Sequence, residues 1–314
     1  MTGSAELTVV LGTYNRLESL KRCLASVVAE TTTPTTIYVT DAGSTDGTQE
    51  YLRDIASNTI IPLLRGKKLG QARAYNEVFE MTTTPYVVWI SDDNEIVNRG
   101  LDRAVAVLKG RSDIGMVGLK VKDRQGPFVK APYIGGLTSA GVLNINQGVL
   151  PTKLLRDIGY FSEVFGFYGI DADLTTKVLH AGKTVVLTKD VAIQHYRDWA
   201  DASTTAGVAL RANQDRSIRL YKKKYGEAIH PGWSWDLKKK LWERLKTRYG
   251  ARLGINAPQP IWGALPRDWY NTFNGRYIGF TDPWMRHLRD YYLVQKVPKS
   301  ARRALIPDSE LTDD

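Results

Sequence analysis

Short apolar runs recur along the first third of the chain, and each closes on a cluster of small and polar residues. Leu7-Thr8-Val9-Val10-Leu11, Ile37-Tyr38-Val39-Thr40, Ile60-Ile61-Pro62-Leu63-Leu64 and Tyr86-Val87-Val88-Trp89-Ile90 have the length and β-branched content of buried strands. Between them the apolar period changes. Leu17, Leu20, Leu24 and Val27 fall at helical spacing. Thr48 to Ile55 puts Tyr51, Leu52 and Ile55 on one face, and Leu69 to Met81 reads as a third helix. The order is β-α-β-α-β-α-β. It predicts an α/β fold, with a mostly parallel central sheet and helices on its faces.

Polar loops leave the strand ends. The first strand runs into Gly12-Thr13-Tyr14-Asn15-Arg16, the second into Asp41-Ala42-Gly43-Ser44-Thr45-Asp46-Gly47-Thr48, and the fourth directly into Ser91-Asp92-Asp93-Asn94-Glu95. In open α/β sheets, ligands bind outside the carboxyl ends of the strands. Adjacent carboxylates there suit a hard divalent cation, which takes oxygen ligands and often bridges substrate phosphates; the plainer reading is a polar turn after a strand. Neither a G-x-G-x-x-G segment nor a P-loop follows the first strand, so a nucleotide would be held in another way.

These loops carry a resemblance. Val9-Val10-Leu11-Gly12-Thr13-Tyr14-Asn15-Arg16 resembles the opening of the family-2 glycosyltransferases of GT-A fold. Val39 to Thr48 is similar to that family's V-D-x-G-S-x-D-G-T segment, and Gly70-Gln71-Ala72-Arg73-Ala74-Tyr75-Asn76 to its G-x-A-x-A-x-N helix. Ser91-Asp92-Asp93 stands at the D-x-D-type metal motif, and Gly148 to Phe161 at the segment before the acceptor site. Phe167 to Leu174 resembles G-E-D-x-D-L, and Lys189 to Tyr196 the strand that ends in a histidine. The resemblance covers roughly residues 6–225. It implies a GT-A catalytic domain over 1–225 and an accessory region, helical and irregular, over 226–314.

The family's reaction moves a sugar from a nucleotide-diphosphate sugar to an acceptor hydroxyl with inversion, assisted by Mn²⁺ or Mg²⁺. UDP is the default nucleotide, with GDP and dTDP open. The resemblance assigns Asp93 and His195 to the metal and Asp92 to the ribose or the outer surroundings of the ion. Thr13, Asn15, Asp41 and Arg73 fall to the nucleotide, Asp41 as acceptor from a uracil imide. Asp171 is the expected base, its plainer role being a cap on a helix over Ala172–His180. Asp173, Arg197 and Trp199 are assigned to the acceptor or to a loop over 196–206 that closes on the donor, the alternative being a surface connector. Ser91 stands where a carboxylate is common, and Ile170 replaces the usual Glu. Neither a Q-x-x-R-W motif nor a membrane helix of about 20 apolar residues is found, so single, non-processive transfers are expected.

Charge adds a feature that the motifs do not explain. Of the net +10, residues 215–314 carry +9, together with six of the eight tryptophans. Ala209 to Tyr225 reads as a helix whose terminal Lys222-Lys223-Lys224 complements the dipole. Trp235 to Tyr249 reads as a basic helix with a stripe of Leu237, Leu241, Trp242, Leu245 and Tyr249. The stripe either packs on the catalytic domain or lies on an anionic membrane. Basic and aromatic residues together suit an anionic polymer or a lipid-linked glycan as acceptor, nucleic acid being a further alternative. A single cysteine, Cys23, and an N-terminus without a basic and then apolar stretch suggest a cytoplasmic protein, peripheral to the membrane if bound to it. Two other readings share some of these features. One is a nucleotidyltransferase, and the other is a binding module for nucleic acid or an anionic polymer.

Overall fold

A computed structural model describes residues 4–125, 145–166, 168–197, 204–225, 294–295 and 307–311, with isolated positions at 143, 237, 240, 241, 244 and 248. The elements, in chain order, begin β1 (Leu7–Thr13), α1 (Leu17–Glu30), β2 (Thr35–Asp41), α2 (Thr48–Asp54), β3 (Ile60–Leu64), α3 (Gln71–Met81) and β4 (Tyr86–Ser91). They continue with β5 (Asn94–Ile96), α4 (Gly100–Gly110), β6 (Ile114–Asp123), β7 (Gly148–Pro151), α5 (Thr152–Asp157), α6 (Ile170–His180), β8 (Thr184–His195), α7 (Thr205–Tyr225) and β9 (Val294–Gln295).

The sheet order is β3-β2-β1-β4-β7-β6-β8-β5, with β9 on β8. The first four strands are parallel, as the alternation predicts. Pro62, which has no N–H to give a ladder, lies in β3 at the sheet edge. β7 runs antiparallel to both β4 and β6, and β8 is parallel to β6. Consequently β1, β2, β4, β6 and β8 all point the same way. Their carboxyl ends share one edge, with Thr13 opposite Asp41, Gly12 opposite Ser91, and Asp123 opposite His195. Only Asp92 and Asp93 separate β4 from β5, yet β7, β6 and β8 stand between them in the sheet. The sheet therefore curls, and the pairing of Asn94 with His195 brings the acidic turn across to the end of β8.

Each face of the sheet has its own core. On one side α1 and α4 bury Leu20, Cys23, Leu24, Leu101, Val105 and Leu108 against Val9, Val39, Val88 and Val121. On the other, an aromatic group of Tyr75, Phe79, Trp89 and Phe161 packs with α5, α6 and α7. Trp89 and Phe161 meet edge to face at 5.3 Å. Such burial of apolar surface on both faces is the dominant stabilising term.

Short segments after residue 225 contact the first part of the chain. β9 extends the sheet at Val185 and Val186, Leu311 is buried, and Asp308 pairs with Lys224. Lys224 itself is buried, at 4% exposure, so it does not serve as a solvated cation at a helix end. Of the basic helix over 235–249, positions 237, 240, 241, 244 and 248 are described and helical. Leu237 and Leu241 are 50% and 49% exposed. Trp242, Leu245 and Tyr249 lie outside the described residues. Among the described residues, no helix is long and apolar enough to cross a membrane.

Candidate active site

The acidic turn after β4 is held from three sides. Thr13 at the end of β1 donates through Oγ1 to Asp92 Oδ2 at 2.9 Å. Arg16 Nη1 stands between the two carboxylates, 3.1 Å from Asp92 Oδ1 and 3.2 Å from Asp93 Oδ2. His195 at the end of β8 places Nε2 3.4 Å from Asp93 Oδ1, and its Nδ1 is 2.9 Å from Asp123 Oδ1 at the end of β6. The turn is further fixed by Asn94, whose Oδ1 accepts from the Ser91 amide at 3.0 Å, and by Tyr196, whose amide donates to the Asp93 carbonyl.

Burial and neighbouring charge divide the two carboxylates. Burial pushes Asp92 up to about 6, with the adjacent Asp93 adding to the rise and Arg16 opposing it. Burial acts on Asp93 too, but the bond and charge of His195, with Arg16, outweigh it and hold Asp93 below the usual carboxylate range. His195 is raised to about 9, because Asp123 and Asp93 outweigh the burial that opposes its charge. The two carboxylates thus favour the protonated ring when no metal is bound.

Among the described residues, no group of three or more His, Cys, Asp or Glu side chains stands ready as a metal cage. The donor set nevertheless fits a divalent ion. Two ligands on an octahedral ion at 2.0–2.1 Å lie about 3 Å apart, close to the separation of Asp93 Oδ1 and His195 Nε2. Asp123 behind Nδ1 is the second partner that a metal-bound imidazole usually has. Its other oxygen, Oδ2, is buried without a hydrogen-bond partner, leaving the carboxylate to support the ring alone.

The residues expected at the nucleotide divide into those that face this turn and those that do not. Asn15 adopts φ +50°, and its Oδ1 accepts from the Thr45 amide at 2.7 Å while Ser44 Oγ accepts from its own amide at 2.9 Å. It ties the loop after β1 to the loop after β2. Asp41 is fully buried, and its carboxylate accepts from the Gly43 and Ser44 amides at 2.9 and 3.0 Å. Its role is to fold its own loop, which corrects the expectation of a carboxylate open to a uracil imide. Arg73 is 61% exposed on α3, where it joins Arg65 around Glu77 rather than the acidic turn. Two other residues of the α3 motif are structural. Tyr75 Oη donates to the Ile90 carbonyl at 2.8 Å and accepts from the Gly12 amide at 3.1 Å, joining β4 to β1 beside the site. Asn76 exchanges hydrogen bonds with both backbone groups of Phe161.

The start of α6 carries the other chemistry. Asp171 lies in the first turn after Gly169, half-buried, and no described side chain donates to it. Burial raises its pKa, and the nearby amides only partly offset the effect. Tyr168 Oη accepts from Arg197 Nη2 at 2.8 Å, which links this turn to the chain two residues past His195. Arg197 thus lies where the sequence places it, beside the end of β8; Trp199 lies outside the described residues. Asp173 corrects an expectation. It is fully buried, accepting from Ser162 Oγ at 2.6 Å and Lys224 Nζ at 2.8 Å, so it holds α6 to α7 and presents no surface to an acceptor. Arg16 and Asp123 were not singled out from the sequence. Their positions, after one strand and at the end of another, are the available signal.

Known proteins resemble this chain. A family model described as Glycosyl transferase family 2 matches residues 8–158. The glycosyltransferase AglE of Haloferax volcanii is 22% identical over 199 residues, 59% of this chain and 65% of that protein. The uncharacterized glycosyltransferase YibD of Escherichia coli is 29% identical over 97 residues, 31% of this chain and 28% of its own. The chain thus spans less than two thirds of the curated relatives it matches. Among solved structures, the mannosyltransferase PcManGT of Pyrobaculum calidifontis, in complex with GDP-Man and Mn²⁺, superposes with a TM-score of 0.52 at 20% identity. The match covers 71% of this chain and 65% of that one. The match of residues 8–158 to the family model and the glycosyltransferase relatives support a glycosyltransferase of family 2, and the curled, mostly parallel sheet with an acidic turn at its carboxyl edge has the GT-A fold.

Proposed function

We propose that the protein transfers a sugar from a nucleoside-diphosphate sugar to an acceptor hydroxyl, with inversion, in single transfers that use a divalent cation. The observation that carries this reading is the convergence of Asp92, Asp93 and His195 at one sheet edge, with the unengaged carboxylate of Asp171 on the neighbouring turn. Asp93 and His195 would hold Mn²⁺ or Mg²⁺, which would neutralise charge developing on the leaving diphosphate. Nitrogen ligation leans towards Mn²⁺. Asp92, fixed by Thr13, is the acceptor for a ribose hydroxyl.

Asp171 takes the proton of the acceptor hydroxyl. The oxygen then attacks the anomeric carbon as the bond to the diphosphate breaks, and the electron pair leaves with the phosphate. Attack from the face opposite the leaving group inverts the centre. The raised pKa of Asp171 makes it a stronger base once ionised. Arg197, fixed by Tyr168, supplies a further cation at this end. For the acceptor we propose an anionic or lipid-linked glycan, on the strength of the +9 carried by residues 215–314 and the exposed Leu237 and Leu241.

The test is a thermal-shift screen of UDP, GDP and dTDP and their sugars, with and without Mn²⁺. With Asp41 engaged in its own loop, uridine keeps no privileged partner there, so guanosine nucleotides belong in the same screen. A ligand at 100 times its Kd raises stability by about 2.7 kcal/mol. The reading predicts a metal-dependent rise with one nucleotide. No rise with any of them, in either condition, would refute it.

A further inference from the structure

We infer that Arg16 is an exchangeable cation of the donor site: it neutralises Asp92 and Asp93 while the site is empty and turns to the donor diphosphate when a metal ion takes its place. This rests on the reading of the Asp92-Asp93 turn as the donor and cation site.

Four carboxylate oxygens point from this turn, and each already has a partner. Thr13 Oγ1 donates to Asp92 Oδ2 at 2.9 Å, and His195 Nε2 faces Asp93 Oδ1 at 3.4 Å. Arg16 Nη1 takes the remaining two, at 3.1 and 3.2 Å. Arg16 thus supplies positive charge to the same acidic turn beside which Asp93 and His195 would hold an ion. The carboxylates are 5% and 10% exposed, so leaving them without a cation is expensive. A divalent ion, however, neutralises both without Arg16. Its arrival makes the guanidinium surplus, and a diphosphate is the partner a planar fork of N–H donors matches best.

The local backbone supports a swinging side chain on a fixed pivot. Asn15 is locked by Ser44 and Thr45, the Arg16 carbonyl accepts from the Leu20 amide at 2.9 Å, and Asp46 accepts from the Leu17 amide at 3.0 Å. The Arg16 side chain is 40% exposed, in contrast to the acids it bridges. Its head can therefore leave the carboxylates without disturbing the loop that carries it. The consequence is coupling: metal and nucleotide each favour the arrangement that the other needs.

The experiment uses the full chain and two binding measurements that need no turnover. Mn²⁺ alone is titrated by the electron paramagnetic resonance signal of the free ion. UDP and GDP are titrated calorimetrically at saturating Mn²⁺. Arg16→Gln removes the resident cation and keeps the reach of the side chain. Its expected behaviour is opposite in the two titrations: Mn²⁺ binds at least 10-fold more tightly than to wild type, and the nucleotide at least 10-fold more weakly, as the loss of a charged hydrogen-bond donor implies. A merely structural role would weaken both. Arg16→Lys keeps a cation, and its Mn²⁺ affinity should stay within about 3-fold of wild type; a gain as large as that of Arg16→Gln would overturn the exchange. An unchanged or weaker Mn²⁺ affinity in Arg16→Gln would overturn it as well. If wild type takes up no Mn²⁺ even with nucleotide present, the cation site itself is wrong and the inference falls with it.

Discussion

Lys224→Met is the sharpest test of how the catalytic half of the molecule is held together. Lys224 donates to Asp173 Oδ1 at 2.8 Å and to Ser162 Oγ at 3.0 Å, and it reaches Asp308. Both members of the central pair are buried, Asp173 at 0% exposure and Lys224 at 4%. Breaking a buried ion pair from one side costs about 3–5 kcal/mol, chiefly because the partner's charge is left uncompensated. Here part of that compensation survives. Lys177 Nζ stays 3.4 Å from Asp173 Oδ2, and Ser162 and Tyr225 hydroxyls still donate to the carboxylate. The loss should therefore fall near the low end, about 3 kcal/mol. At about 2 °C per kcal/mol for a chain of this size, the melting temperature should fall by roughly 6 °C.

The double variant Asp173→Asn with Lys224→Met separates charge from packing. It removes both charges of the central pair and leaves Lys177 to the Gly159 and Tyr160 carbonyls to which it already donates; replacing a buried pair by uncharged side chains is often close to neutral. We expect it to be more stable than Lys224→Met alone, with a coupling of about 2 kcal/mol in a double-mutant cycle. Thermal unfolding followed by tryptophan fluorescence supplies all four stabilities. A melting shift under about 2 °C for Lys224→Met, or a double variant whose loss is the sum of the singles, would refute the ion pair as the element that fixes α6.

Three further outcomes follow from the site and its supports. Asp171→Asn keeps the shape of the base and should slow transfer by roughly 10²-fold or more while nucleotide affinity stays near wild type; a collapse of donor binding in that variant would count against the role. Asp93→Ala should abolish the Mn²⁺-dependent part of nucleotide binding in the thermal-shift assay while the metal-free melting temperature changes little. Asp102 accepts from the amides and hydroxyls of Thr32 and Thr33, and these bonds hold its pKa down despite its partial burial. A depressed carboxylate contributes stability that is complete above its unfolded pKa of about 3.9 and is lost as pH falls through the lower folded value. Asp102→Asn should therefore flatten the fall in stability below about pH 4, and an unchanged acid limb would show that the bonds are not made in solution.

The parallel half of the sheet was legible because its signals are local. β1, β2 and β4 are apolar runs of a length that only a buried strand uses, and each is followed by its turn formers. β5 is three residues long, and β7 is four, with a glycine and a proline in it; neither has a period to detect. α4 repeats Leu101, Ala104, Val105 and Leu108 at helical spacing and offered a signal that the motif order did not draw on. The site was legible as to which loops meet, since the resemblance fixes their order. It was not legible as to which carboxylates are open. Asp41 and Asp173 look like Asp93 in a sequence; only the folded chain shows amides closing over the first, and Ser162, Tyr225 and Lys224 over the second. Lys224 misled in the same way. A lysine near a helix end usually faces water, and this one is drawn inward by a carboxylate 51 residues earlier.

That displacement of roles has a consequence for how the two halves of the reaction are supported. The donor side rests on strand ends: Thr13, the Asp92-Asp93 turn, Asp123 and His195 are positioned by ladders whose register leaves them little freedom. The proposed base, Asp171, rests on the first turn of α6, and the strongest polar anchor of that turn is not in the sheet. It is Asp173, two residues on, gripped by Lys224 from α7, with Asp308 from the C-terminal segment on the same ammonium. Both halves also meet at one direct bond, from Arg197 beside the end of β8 to Tyr168 before α6. A change in the C-terminal segment can therefore reach Asp171 through Lys224 and Asp173 without touching the proposed metal ligands, Asp93 and His195. Donor binding and acceptor activation are then separable by mutation. Changes at Arg16, Asp93 or His195 should appear in nucleotide and metal affinity, and changes at Lys224 or Asp308 in the rate of transfer at saturating donor.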